Sequence, residues 1–126
     1  MSQIVAIALG GALGSVGRFL FAGWVGRVLG VNFPWGTLAV NVVGGLVMGL
    51  LVGLMAQAWS VSPAIRAFLT VGVLGGFTTF SAFSLETVLL FQRGDMLAAL
   101  GYIASSVVLS VGAVWCGLRL IRFVVA

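Results

Sequence analysis

The sequence contains no lysine and no histidine, and its 126 residues include only two acidic side chains, Glu86 and Asp95. With 6% charged and 62% apolar residues, the chain cannot present an ordinary charged surface to water, so we expect an integral membrane protein. The absence of histidine, of a carboxylate pair and of a cysteine cluster leaves metal-dependent, acid–base and nucleophilic catalysis without their side chains. An enzyme is therefore not expected.

The six arginines give a net charge of +4. In such an apolar chain, arginines at helix ends facing lipid headgroups explain this charge better than nucleic-acid binding does. The single cysteine, Cys116, cannot form an intrachain disulfide. The N-terminus lacks the basic flank and cleavage pattern of a removable signal peptide.

Four apolar segments are long enough to cross a bilayer core of about 30 Å at about 1.5 Å per residue. They run over residues 3–28, 34–57, 63–91 and 96–123. Pro34 and Pro63 stand where prolines suit a first helical turn, and Gly94 with Asp95 predicts a helix end followed by a new cap. The sequence therefore predicts a single all-α domain, residues 1–126, with four transmembrane helices, which would lie in the cell (inner or plasma) membrane as a multi-pass protein.

The arginines are almost evenly divided between the two ends of this bundle. Arg66, Arg119 and Arg122 lie on the side of the termini, and Arg27 and Arg93 lie on the other. Because lysine and arginine near the helix ends set orientation, a near-tie favours insertion in both directions and hence an antiparallel, dual-topology homodimer. A single orientation fixed by weaker signals is an equally good interpretation of the charge count.

The stretch from Gly75 to Ser84 combines two glycines, four hydroxyls and three phenylalanines within the third segment. As one helix, that segment would be about 43 Å long, which exceeds the hydrocarbon thickness. We therefore predict a helix break near Gly75–Thr79, whose freed carbonyls would suit a hard cation such as Na⁺ on a dimer axis. Phe77, Phe80 and Phe83 are expected along one face of the resumed helix, with core packing the commoner explanation and ring edges facing an anion the functional one.

Other polar residues are placed so that either helix packing or an ion path would explain them. Thr37 and Asn41 lie four apart, with packing and function equally favoured for the amide. Tyr102, Ser106 and Ser110 form a stripe that would either join helices or offer donors to a dehydrating anion. Arg18 is an intramembrane charge and so a functional candidate unless it reaches the interface. Glycines repeat every four residues at 45, 49 and 53 and at 10 and 14, which is best explained by close helix packing.

Three stretches together resemble the Fluc (CrcB) fluoride channels: Gly14 to Phe19, Gly36 to Asn41 and Gly75 to Ser84. The resemblance covers essentially the whole chain. It implies passive, fluoride-selective export through two pores of an antiparallel dimer, with fluoride, Na⁺, the lipid bilayer and a second copy as partners. One departure is Ala82, which stands where the family commonly has threonine.

The resemblance also implies roles for individual residues. Phe80 and Phe83 would form an aromatic box with Asn41 contacting the ion between them, and the carbonyls of Gly75 and Thr78 would hold a structural Na⁺. A polar track would run beside the box, and Arg18 would belong to a vestibule. The predicted track residues are Thr37, Ser81, Tyr102, Ser106 and Ser110. The alternative function is a small dual-topology, proton-coupled multidrug exporter, but that chemistry needs a carboxylate in the first helix, which has none.

Overall fold

A computed structural model describes residues 2–125, and all of its regular structure is helical. Four helices are long and apolar enough to cross a membrane, and their bounds agree closely with the predicted segments. The four spans are α1 (Gln3–Leu29), α2 (Trp35–Gln57), the broken third span (Pro63–Gln92) and α6 (Met96–Val125). The chain is therefore an all-α, multi-pass membrane protein, as the composition predicted.

The residues expected to begin and end the helices do so in the structure. Ser62 accepts a hydrogen bond from the Ile65 N–H at the start of the third span, where Pro63 occupies the first turn. Gly94 has a φ of 85°, a conformation that favours glycine, where the third span ends. Asp95 then accepts from the Ala98 N–H at the start of α6.

The third span consists of several helical pieces. A short helix, α3 (Pro63–Ala67), continues as a π-helix (Phe68–Leu74) and then as one further turn, α4 (Gly75–Phe77). The backbone then becomes extended, and helix α5 (Phe80–Gln92) begins after it. The predicted break is confirmed, but the extended residues are Thr78 and Thr79, and both glycines of the motif are helical.

Two glycine contacts explain how the helices pair. A β-carbon at Gly45 would lie 2.9 Å from the Ser110 carbonyl oxygen, so α2 and α6 touch along their backbones. A β-carbon at Gly10 would lie 2.5 Å from the Phe68 carbonyl oxygen, so α1 touches the third span along its backbone as well. The predicted packing role of the glycine repeats is confirmed, because backbones can approach this closely only where side chains are absent.

The expectation that three phenylalanines share one face of the resumed helix is wrong for Phe77. Phe77 precedes the break, and its ring lies 5.9 Å from that of Phe21 on α1. Phe80 and Phe83 follow the break, and their ring centroids are 5.5 Å apart. Helical spacing relates only residues of one continuous helix, and the extended Thr78 and Thr79 interrupt it.

Candidate functional site at the helix break

The break is held open by an amide from a neighbouring helix. Thr78 (φ −90°, ψ 158°) and Thr79 (φ −153°, ψ 119°) are both extended. Asn41 on α2 accepts from the Thr79 N–H at 2.8 Å through Oδ1 and donates to the Thr79 carbonyl at 3.1 Å through Nδ2. Since irregular backbone within a bilayer needs partners inside the protein, Asn41 supplies what the interrupted helix lost. One N–H of the Asn41 amide remains for a further acceptor.

The hydroxyls of the break stabilise the two helix ends next to it. Thr78 donates through Oγ1 to the Leu74 carbonyl at 2.9 Å and so closes the last turn before the break. Thr79 accepts through Oγ1 from the Ala82 N–H at 3.1 Å and so caps α5. The same Thr79 Oγ1 lies 3.3 Å from Ser81 Oγ. The two threonines thus define where one helix ends and the next begins.

Two carbonyls at the break lack their usual helical donors, because those N–H groups donate to other acceptors. In a continuous helix, the Thr79 N–H would donate to the Gly75 carbonyl, but it donates to Asn41. The Ala82 N–H would likewise donate to the Thr78 carbonyl, but it donates to the Thr79 hydroxyl. These are the two carbonyls that the sequence resemblance assigned to a cation.

A groove that we call the serine groove runs beside the break, has a volume of about 400 Å³ and is open along one side. It contains five of the predicted path residues. These are Asn41, Phe80, Phe83, Ser106 and Ser110. Thr78 and Thr79 also line it, together with apolar side chains of α2 and α6 such as Met48 and Val114. The groove therefore joins the break to the polar stripe of α6.

Two hydroxyls in the serine groove are buried without a hydrogen-bond partner. Ser106 Oγ and Ser110 Oγ both lack one among the described residues 2–125. A buried polar group without a partner costs about 1–3 kcal/mol, so native proteins rarely keep one without a reason. The neighbouring Ser105, by contrast, donates to the Gly101 carbonyl of its own helix at 2.7 Å. The two hydroxyls are therefore left to donate to a group outside the single chain.

A second groove, which we call the arginine groove, lies on the other side of the break and has a volume of about 410 Å³. Arg18, Thr37 and Glu86 line it, together with aromatic side chains that include Trp35. Thr79 lines both grooves. The two grooves therefore meet at the residue that Asn41 holds.

Buried rings separate the two grooves on the α6 side. Tyr102 is fully buried, and its ring centroid lies 5.1 Å from that of Phe83. The Tyr102 hydroxyl donates to Glu86 Oε1 at 3.3 Å. Phe83 thus contacts the serine groove on one side and Tyr102 on the other, while Glu86 opens onto the arginine groove. Of the predicted track residues, Thr37 lines the arginine groove, whereas Tyr102 is buried and reaches that groove only through its bond to Glu86.

Of the predicted fluoride-path and vestibule residues, all but Tyr102 and Ser81 line one of the two grooves. Ser81 is exposed and lines neither groove of the single chain, and its hydroxyl is close only to that of Thr79. Arg18 is bonded to the third span, because its Nε donates to the Gly76 carbonyl at 3.1 Å. The roles that the resemblance gives to these side chains remain predictions.

Two contributions at the site were not foreseen from the sequence. Gly44 lies three residues after Asn41 and faces the break, where an added β-carbon would collide with the Thr78 methyl group and approach the Phe77 ring to 3.2 Å. Glu86 stood out in the sequence only as one of the two acidic side chains, and its bond to Tyr102 joins α5 to α6 across sixteen residues. The spacing from Asn41 could have suggested Gly44, whereas no local pattern predicts the contact of Glu86.

A broken membrane-spanning helix, two grooves that meet at the break and unpaired hydroxyls within one of them define a small multi-pass membrane protein with a built polar site. Within that class, the chain belongs to the family described as CrcB-like protein, Camphor Resistance (CrcB), whose profile matches residues 5–118.

Relatives at about half identity cover essentially the full chain. A protein of Rhodospirillum centenum named fluoride-specific ion channel FluC is 53% identical over 126 residues, which is 100% of both chains. Proteins of the same name from Nitrobacter winogradskyi and Agrobacterium fabrum are 52% and 53% identical, covering 96% and 97% of this chain and 96% and 98% of their own lengths.

Proposed function

We propose that this protein is a fluoride-selective channel through which fluoride leaves the cell passively across its membrane. The observation that carries the proposal is the pair of buried, unpaired hydroxyls, Ser106 and Ser110, in the groove that also contains Phe80, Phe83 and Asn41. The names of the full-length relatives support the same ion. Fluoride is small, strongly hydrated and a good acceptor, so hydroxyl donors in a dry groove can replace its water.

The path would lead from the arginine groove past the break into the serine groove. Arg18 gives the vestibule a positive charge that attracts anions. The free N–H of Asn41 and the hydroxyls of Ser106 and Ser110 then donate to the ion. Ring edges carry partial positive charge, so Phe80 and Phe83 attract an anion without holding it tightly, which conduction requires. Chloride is larger, and we expect the path completed by the second copy to exclude it.

A second copy of the chain would complete the path as an antiparallel dimer. The serine groove is open along one side, and Phe80 is 78% exposed there although it is a large apolar residue. The near-equal arginine count at the two ends supports insertion in both orientations. Each copy contributes one groove, so the dimer would have two pores.

A structural Na⁺ between the two copies fits the residues present. The Gly75 and Thr78 carbonyls have their helical donors directed elsewhere, so their oxygens are left for a hard cation, which prefers oxygen ligands. The ion would supply the positive charge that holds two sets of carbonyls at one point. Asn41 and Thr79 fix the backbone that presents them.

Fluoride efflux from proteoliposomes tests the proposed function. We expect purified protein to release internal fluoride down its gradient, as read by a fluoride electrode, and to retain internal chloride. Equal release of both anions contradicts the selectivity, and release only with an imposed proton gradient contradicts the passive mechanism. Vesicles without protein provide the leak rate.

A further inference from the structure

Arg18 contacts the backbone of the broken helix directly. Its Nε donates to the Gly76 carbonyl at 3.1 Å, across 58 residues of sequence. Gly76 is also where α1 and the third span touch, since an added β-carbon there would lie 3.1 Å from the Ser15 nitrogen. The bond therefore lies at the contact between α1 and the last helical turn before the break.

The Gly76 carbonyl needs this donor because the break removes its usual one. In a continuous helix, the N–H of Phe80 would donate to Gly76. Thr78 and Thr79 are extended, so Phe80 begins a new helix instead. An unpaired carbonyl at membrane depth is costly, and the Arg18 Nε takes the place of the lost N–H.

The charge of Arg18 is not engaged by a neighbouring carboxylate. Glu86 lines the same groove, but its Oε1 accepts from the Tyr102 hydroxyl. Among the described residues 2–125, the ion pair joins Arg93 to Asp95 in the exposed loop before α6. The hydrogen bond from Nε and the positive charge of the Arg18 guanidinium can thus be removed one at a time by substitution.

The geometry points to Arg18 as a positioning residue whose Nε–H, rather than its charge, fixes the end of the third span. By holding the Gly76 carbonyl, it keeps α4 against α1 and sets the direction of the flanking Gly75 and Thr78 carbonyls. The consequence for conduction rests on the proposed function, whereas the consequence for the backbone does not. Arg18 also lines the arginine groove.

Two variants of Arg18 separate the donor from the charge. In Arg18→Gln, the amide nitrogen occupies the position of Nε after the same three carbons, so the donor is kept and the charge is lost. In Arg18→Lys, a methylene occupies that position, so the charge is kept and the donor is displaced. We expect Arg18→Gln to slow fluoride efflux about threefold, because the arginine groove loses its positive charge, and Arg18→Lys to slow it about tenfold or more, because the Gly76 carbonyl loses its donor.

Hydrogen exchange reports on the backbone independently of conduction. In protein reconstituted in nanodiscs, we expect Arg18→Lys to accelerate amide exchange over residues 74–82 and Arg18→Gln to leave it unchanged. Arg27→Lys serves as the matched control, because Arg27 lies on the same helix, lines neither groove and keeps its charge in this variant. This control should change neither exchange nor efflux.

The outcomes decide between the donor and the charge. If Arg18→Lys keeps the original exchange and efflux while Arg18→Gln loses them, the charge is what matters and the inference is overturned. Equal retention or equal loss in the two variants overturns it as well. Should Arg18→Lys fail to fold, Arg18→Met replaces it, because methionine matches glutamine in length and neutrality but has no donor. A protein that shows the expected exchange pattern but never conducts fluoride contradicts only the proposed function.

Discussion

Asn41 and Thr79 form a closed pair in which one side-chain amide satisfies both backbone groups of one residue, at 2.8 and 3.1 Å. The pair joins α2 to the break at the point where the two grooves meet. Only an amide offers an acceptor and a donor in this arrangement. The conformation of the break therefore depends on a residue that lies 38 positions away.

The first prediction concerns this amide. Asn41→Asp keeps an acceptor for the Thr79 N–H but places a second acceptor against the Thr79 carbonyl. We expect a loss of about 1–3 kcal/mol in stability, the cost of a buried carbonyl without its partner, and fluoride efflux at least about tenfold slower. Thermal unfolding in detergent and liposome efflux measure the two effects. Asn32→Asp in the loop between α1 and α2 is the control, and an Asn41→Asp protein with unchanged stability would refute the structural role of the pair.

The second prediction concerns the space that Gly44 leaves for the break. In Gly44→Ala, the added methyl would collide with the Thr78 methyl group, and inserted methyl groups in close-packed sites cost about 1–3 kcal/mol. We expect efflux to fall about tenfold or more. Adding Thr78→Ser removes the opposing methyl and keeps the hydroxyl that bonds to Leu74, so the double variant should recover most of the loss.

Gly101→Ala and Gly112→Ala are the matched controls for this substitution, because nothing lies within 4 Å of a β-carbon at either position in the single chain. If adding Thr78→Ser to Gly44→Ala does not restore fluoride efflux, then the contact with the Thr78 methyl group is not the cause of the loss. An effect of the controls as large as that of Gly44→Ala would point instead to general helix packing.

The sequence was sufficient to predict the four spans, because long apolar runs are interrupted by residues that end helices. Pro34 and Gly94 mark such ends, and the observed helices begin or end beside them. The region of the break was also predictable, since Gly75, Gly76 and two threonines weaken a helix. These signals are local, and local signals are what a single sequence contains.

Which residues of the break are extended depends on contacts between helices, and no local sequence pattern predicts such contacts. Gly75 and Gly76 stay helical, and Gly76 instead allows α1 to approach closely. Thr79 is extended because Asn41 on another helix satisfies its backbone. The predicted face of three phenylalanines failed for the same reason, since it assumed that Phe77 belongs to the resumed helix. The π-helix at Phe68–Leu74 has no sequence signal that we recognise.

The third prediction separates stability from conduction at the unpaired serines. Ser106→Ala removes a buried hydroxyl that has no partner in the chain, so stability should be unchanged or should rise by up to about 1 kcal/mol. Fluoride efflux should nevertheless fall several-fold, because a donor along the path is lost. Ser105→Ala is the control, since that hydroxyl bonds to its own helix and lines neither groove. Unchanged efflux in Ser106→Ala would place the path elsewhere.

The fourth prediction concerns the proposed Na⁺. We expect protein purified and reconstituted with K⁺ or N-methylglucamine in place of Na⁺ to lose efflux, and readdition of Na⁺ to restore it in a saturable way. Dimer content by size-exclusion chromatography should follow the same Na⁺ dependence if the ion bridges two copies. Efflux that is independent of Na⁺ over the whole concentration range would contradict a role for the Gly75 and Thr78 carbonyls as its ligands.

The fifth prediction tests whether Tyr102 and Glu86 act as a unit. Tyr102→Phe keeps the ring that packs against Phe83 and removes only the hydroxyl that donates to Glu86 at 3.3 Å. Glu86→Gln removes the carboxylate charge and leaves an acceptor. We expect each variant to stay folded and to slow fluoride efflux several-fold. Because the two groups share one hydrogen bond, the double variant should be no slower than the slower single variant, since effects of directly interacting residues do not add. Fully additive losses would mean that hydroxyl and carboxylate contact the ion path independently, so that their bond is incidental to conduction.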